Sequence, residues 1–207
     1  MLVEVDNYKI YCEDPRFIEE VYNLKEYSFA DNDKTDNVVI DLGSNIGTYS
    51  MYIYPRAKVI YAIEPSPEFD LLERNVEENK LDRIKAFKMA ISGDNGTAMM
   101  CKNAGTGSWK LGNADNMPTT KVVTRTLFTF MDEHGINHVD MLKIDAEGAE
   151  IEIFSSPDFV KVRDRIDLIF GEYHGNSEKL KGILELNNFE VSFIYDKPHF
   201  IARRVNG

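Results

Sequence analysis

A short β-branched run, Val38-Val39-Ile40, ends at Asp41 and gives way at once to Leu42-Gly43-Ser44-Asn45-Ile46-Gly47. The run is apolar on both faces, as in a parallel strand covered by helices on either side. Gly43 and Gly47 let the backbone turn sharply and approach a ligand closely. A strand, a tight turn and a helix start in this order predict free backbone N–H groups facing a nucleotide-type ligand. A second run, Val59-Ile60-Tyr61-Ala62-Ile63, ends at Glu64, about 20 residues on, where an acidic side chain accepts from both ribose hydroxyls. The pairing of turn and acid confines the chain to the doubly wound α/β class.

The remaining segments fit that class. Residues from Ile46 to about Tyr54 supply a crossover helix closed by Pro55, and Ser66-Pro67 cap and start the next, with Phe69, Leu72 and Val76 inward. Ile84 to Ile91 reads as a third strand, Val139 to Ile144 as a fourth ending at Asp145, and Ile166 to Phe170 as a fifth followed by Glu172. Between the third and fourth lies a Gly-, Asn- and Thr-rich insert, Gly93 to Lys121, read as irregular or hairpin structure. Ser177 to Asn188 is a helix, and the alternation from Phe189 to Tyr195, the turn at Asp196-Lys197-Pro198 and the return from Phe200 to Val205 form a hairpin. The expected fold is α/β and Rossmann-like: a mostly parallel central sheet, helices on both faces and an antiparallel C-terminal hairpin. One domain is expected, with residues 1–36 an appended segment and 37–207 the core. In the segment, Val3, Val5 and Tyr8 to Tyr11 suggest a hairpin and Asp14-Pro15 starts a helix carrying Phe17, Ile18, Val21 and Tyr22 on one face. Asp31-Asn32-Asp33-Lys34 is the connection.

Composition narrows the partners. A formal charge of -11 argues against a long nucleic acid as the main partner, because phosphate binding needs basic surface. No apolar run reaches the roughly 20 residues of a membrane helix. Cys12 and Cys101 form no metal or redox spacing and fit a reduced, cytoplasmic setting. Nothing in the sequence sets an oligomeric state.

A dinucleotide turn would carry Gly-x-Gly-x-x-Gly, yet Asn45 stands at the middle Gly position. Asp41 places a carboxylate at the turn, which repels a pyrophosphate and attracts an ammonium or sulfonium. S-adenosylmethionine carries both cations and no phosphate, so the electrostatics favour it over a nicotinamide cofactor. From Val38 to His174 the chain resembles the FkbM-type family of class I S-adenosylmethionine-dependent methyltransferases. The resemblance rests on VVIDLGSNIGTYS, YAIEPSPEFDLLERNVEEN, KMAISGDNG and VDMLKIDAEGAE followed by FGEYHG, of which Lys143 to Glu150 is the most family-specific. It implies that Gly43, Ser44, Asn45 and Gly47 wrap the methionine part, that Glu64 holds the ribose with Ser66 beside it, and that Ala90-Ile91 border the adenine. It further implies that Asp145 faces the cofactor's amino group or the substrate. The chain differs at Thr126-Leu127-Phe128, where the family often has Thr-Leu-Asp, and matches the family's Ser-rich stretch only loosely at Gly105-Thr106-Gly107-Ser108-Trp109.

Methyl transfer to an alcohol needs an aligned pair and a group that removes the hydroxyl proton. The candidates end strands four and five: Asp145, Glu147, Glu150, Glu172 and His174. Only His174 among them titrates near neutrality when unperturbed, so it is the expected base, with Glu172 or Asp145 orienting it. Glu150 reads as a structural part of the following helix. Asp145, Glu147, Glu172 and His174 could converge on a divalent metal, but base catalysis is simpler and a metal is not favoured. The expected activity is O-methylation of a small molecule or glycan. N-methylation of a small amine and a catalytically silent binding module are the alternatives.

Overall fold

The computed structural model describes residues 1–31, 34–102, 108–112 and 117–205. The chain starts with a hairpin, β1 (Leu2–Val5) and β2 (Tyr8–Tyr11), then a short helix α1 (Arg16–Ile18) that runs into a π-helical turn over Glu19–Asn23. Next come β3 (Asn37–Leu42), α2 (Thr48–Ile53), β4 (Ala57–Ile63), α3 (Phe69–Glu78) and β5 (Ile84–Phe87). Then come β6 (Ala90–Ile91), β7 (Gly96–Lys102) and β8 (Trp109–Leu111) of the insert, and β9 (Thr119–Arg125) at its end. The chain closes with α4 (Leu127–Glu133), β10 (Met141–Ile144), α5 (Glu150–Ser155), β11 (Leu168–Glu172), α6 (Ser177–Leu186), β12 (Phe189–Phe193) and β13 (His199–Arg204).

The central sheet has the order β12-β13-β11-β10-β3-β4-β5. Strands β11, β10, β3, β4 and β5 are parallel, and β13 is antiparallel to β11 and β12. Chain order therefore reverses between β3 and β10, and ligands of open α/β sheets bind at the carboxyl ends flanking such a switch point. Successive side chains of a strand point to opposite faces. Ile40 and Leu142 accordingly join one buried cluster with Phe130 and Phe154, while Val39 and Met141 join another with Met51 and Phe170. That two-sided burial is why these strands read as unbroken apolar runs.

The N-terminal segment is packed into the second cluster through Ile10, Ile18, Val21, Tyr22 and Tyr27. Each such side chain, fully buried, contributes about 1.5–3 kcal/mol. Fully buried Asn75 on α3 ties the segment down: its Nδ2 donates to the carbonyls of Tyr11 (3.0 Å) and Ile46 (2.9 Å), and its Oδ1 accepts from Tyr11 N (2.7 Å).

Two expectations need correction. The third strand is broken: Met89 N turns back to Phe87 O, β5 ends there, and Ala90-Ile91 pair with β9 instead. Ser66-Pro67 form a turn ahead of α3, with Glu68 at its N-cap. Of the two readings of the insert, irregular or hairpin, the described residues take the hairpin: β7 and β8 pair antiparallel within a second sheet, β6-β9-β7-β8. Asn32, Asp33 and the Gly105-Thr106-Gly107 stretch lie outside the described residues. Among the described residues no helix is long and apolar enough to cross a membrane.

Candidate active site

A cavity of about 500 Å³ opens at the carboxyl ends of β3, β4, β10 and β11, on the switch point. Gly43, Ser44 and Asn45 from the β3 turn form its floor, and Glu64 and Ser66 lie past β4. Ala90 and Ile91 come from β6, and Asp145, Glu147, Glu172 and His174 from the ends of β10 and β11. The predicted residues thus converge, with two exceptions, Asp41 and Gly47.

Asp41 is fully buried and off the cavity wall. Its Oδ2 accepts from Ser50 Oγ at 2.6 Å and its Oδ1 lies 3.3 Å from Lys143 Nζ. The carboxylate expected to attract the cofactor's cations is already matched by a lysine. Gly47 (φ +89°) is a packing glycine: a Cβ there would sit 2.6 Å from Leu72 Cδ1, between α2 and α3. Gly43 (φ +72°) is required by the neighbouring strand, since a Cβ would fall 1.9 Å from the Asp145 carbonyl oxygen.

The turn's N–H groups are not free either. Gly43 N and Ser44 N donate to Ile63 O at 3.0 and 3.1 Å, Gly47 N donates to Ser44 O at 2.8 Å, and Asn45 N donates to Glu64 Oε2 at 2.8 Å. The loop is bonded to β4 and offers a ligand its side chains and a preformed shape. Glu64 is 6% exposed and accepts from Ser66 N through Oε1 at 2.9 Å. Burial pushes its pKa up, and the bonds from Ser66 and Asn45 hold it down. Each carboxylate oxygen keeps a lone pair for a hydroxyl. Ser66 is turned to Glu68, donating to Oε2 at 2.6 Å.

The opposite end is acidic. His174 Nδ1 lies 3.2 Å from Glu150 Oε1, and Nε2 lies 3.6 Å from both Glu147 Oε2 and Glu172 Oε1. Burial works against a charge on His174, but the Glu150 bond and the charges of Glu150, Asp145 and Glu147 outweigh it and raise its pKa to about 9. Glu172 rises to about 7, through burial first and then the Asp145 charge, with His174 opposing. Glu147 (φ +49°) is raised mainly by burial. Ligand-type atoms of Asp145, Glu147 and His174 lie within 4.8 Å of one another.

The sequence missed several contributors. Lys143 and the N-terminal Phe17, Glu20 and Tyr27 line the cavity; Glu150, named among the candidates but read as structural, is 1% exposed and grips the histidine. Tertiary contacts bring them in, and local spacing carries no sign of that.

The fit to S-adenosylmethionine rests on the donor set. Glu64 offers acceptors to a ribose, Ala90 and Ile91 an apolar wall to a base, and the Asp145 carboxylate on the cavity wall an acceptor to an ammonium. Fold and site define a Rossmann-like class I methyltransferase. Magnesium protoporphyrin IX methyltransferase from Synechocystis PCC 6803, solved with bound S-adenosylmethionine, superposes with a TM-score of 0.54 at 11% identity, covering 91% of this chain and 80% of that one. The chain belongs to the FkbM methyltransferase family, whose domain profile matches residues 41–196. It is 27% identical to methyltransferase sdnD of Sordaria araneosa, over 92% of this chain and 89% of that protein. It is also 27% identical to the 2-O-methyltransferase NoeI of Sinorhizobium fredii, over 74% and 70%. The protein is an S-adenosylmethionine-dependent methyltransferase.

Proposed function

We propose that the protein methylates a hydroxyl group of a small molecule or glycan, and that Glu172 removes the hydroxyl proton. The observation that carries this is the place of the Glu172 carboxyl, on the wall of the cofactor cavity and 3.6 Å from His174 Nε2; burial and the Asp145 charge raise its pKa to about 7, and a base works best when its pKa is near the working pH. An alcohol needs such a base; an unprotonated amine does not. The relative NoeI, by its name a 2-O-methyltransferase, supports the same reading.

His174 changes role. With a pKa of about 9 it is protonated at neutral pH and has no lone pair to take a proton. It serves as the cation that steadies Glu172 and Glu147, each 3.6 Å away. Glu64 takes the ribose hydroxyls, Ser66 lies beside them, and Ala90 and Ile91 border the adenine. Gly43, Ser44 and Asn45 cradle the methionine part, and Asp145 accepts from its ammonium. S-adenosylmethionine supplies a methyl group on a sulfonium, ready for in-line displacement. Glu172 takes the acceptor's proton as the oxygen–carbon bond forms, and the carbon–sulfur electron pair stays on sulfur. A divalent metal has no assigned step.

The test is a panel of hydroxyl and amine acceptors with S-adenosylmethionine, reading S-adenosylhomocysteine release and locating the new methyl by NMR. Methylation confined to amines, or no turnover on any acceptor beside firm cofactor binding, would overturn the O-methyltransferase reading.

A further inference from the structure

Lys143 is 3% exposed, in the middle of the switch point, with no obvious reason for a charge to be there. It stands opposite Asp41 in the parallel pairing of β10 and β3, so the two side chains share a face of the sheet. The Tyr27 ring lies 5.5 Å from the ammonium, and Asp41 is itself fully buried. Burying two charges is costly, and a well-packed apolar pair of similar volume is often as stable or more so. Stability alone is therefore a weak account of the pair.

The bonds of the ammonium supply another. Lys143 Nζ donates to the Gly43 carbonyl at 2.8 Å, while Asp41 Oδ1 lies 3.3 Å away and receives its charge. Ser50 Oγ donates to the other Asp41 oxygen at 2.6 Å, tying the pair to α2. The turn is thus held from two sides. The N–H groups of Gly43 and Ser44 are fastened to Ile63 on β4, and the Gly43 carbonyl is fastened to Lys143 on β10. A carbonyl so held fixes the peptide plane leading into Ser44 and Asn45, which form the cavity floor. Burial works against the Lys143 charge, but Asp41 first and then Asp145 and Glu64 outweigh it and raise its pKa, so it stays an ammonium.

We infer that Lys143 is a positioning residue for the cofactor turn, acting through the Gly43 carbonyl with Asp41 as its counter-charge. This rests on the cofactor site proposed above. The discriminating variant is the uncharged pair, Asp41→Asn with Lys143→Met, because Lys143→Met alone leaves a buried carboxylate unmatched. S-adenosylhomocysteine affinity is measured by calorimetry and folding by thermal melting. We expect the double variant to melt close to the wild type but to bind about ten- to a hundredfold more weakly, the scale of a lost charge-assisted hydrogen bond. Binding within twofold of wild type in the folded double variant overturns the inference. If that variant does not fold, the wild type decides by ¹⁵N NMR of its lysine ammonium groups. A protected Lys143 resonance that shifts when S-adenosylhomocysteine is added upholds the inference, and one that does not respond overturns it. Failure of the wild type to bind S-adenosylhomocysteine is a separate result and counts against the cofactor site itself.

Discussion

Glu150 Oε1 lies 3.2 Å from Nδ1 of His174, and the same oxygen accepts from the backbone N–H groups of Ala146 (3.1 Å) and Gly148 (3.3 Å). One buried carboxylate thereby fixes the loop after β10 and the end of β11 to each other. Nε2 of the ring is left pointing toward Glu147 and Glu172.

The first prediction is a bell-shaped pH profile. Turnover rises as Glu172 loses its proton, near pH 7, and falls as His174 loses its own, near pH 9. Stability follows the same groups. The folded pKa of His174 is raised, so its contribution is complete below the ordinary histidine pKa of 6.5 and is lost as pH climbs through about 9. Glu172, also raised, disfavours the folded state as pH climbs from the ordinary 4.5 through about 7. Melting temperature should therefore fall from mildly acidic to alkaline pH. Glu150→Gln should shift the upper limb of the rate profile downward, and an unmoved limb would separate His174 from it.

Glu172→Gln should lose about 10²–10⁴-fold in single-turnover rate, the usual contribution of a general base. S-adenosylhomocysteine affinity should change little. A near-native rate in this variant would remove Glu172 from proton transfer.

Glu64→Ala should weaken S-adenosylhomocysteine binding by roughly 1.5–3 kcal/mol, the scale for charge-assisted hydrogen bonds. Calorimetry on a variant whose fold is verified by circular dichroism checks this. Unchanged affinity would end the ribose assignment.

Exhaustive chelation should leave turnover intact, because protonated His174 already sits among the carboxylates at the ends of β10 and β11. Loss of activity on chelation, restored by added magnesium or manganese, would put a metal into the mechanism.

Chemistry packed into a few consecutive residues was legible from the amino-acid order. The Gly43 turn and the end of β4 at Glu64 are of this kind, as is the C-terminal hairpin. The break at Phe87 was not, because Ile84 to Ile91 keeps an acceptable strand pattern throughout; only the return bond from Met89 and the pairing of Ala90-Ile91 with β9 divide it. Asp41 misled for a related reason. Its neutralising partner is on the far half of the sheet, and strand register, not spacing, brings Lys143 beside it. Glu150 likewise read as an ordinary helical acid because its histidine arrives from another strand end.

The chain has a single tryptophan, and Trp109 of β8 stands on the cavity wall with its Nε1 inaccessible and without a hydrogen-bond partner among the described residues. Indole emission tracks the polarity and quenchers around the ring, and here no second indole dilutes it. The protein consequently carries its own optical gauge of site occupancy. Ligands can be ranked and acceptors screened by intrinsic fluorescence on unlabelled material, before any methylated product has been identified.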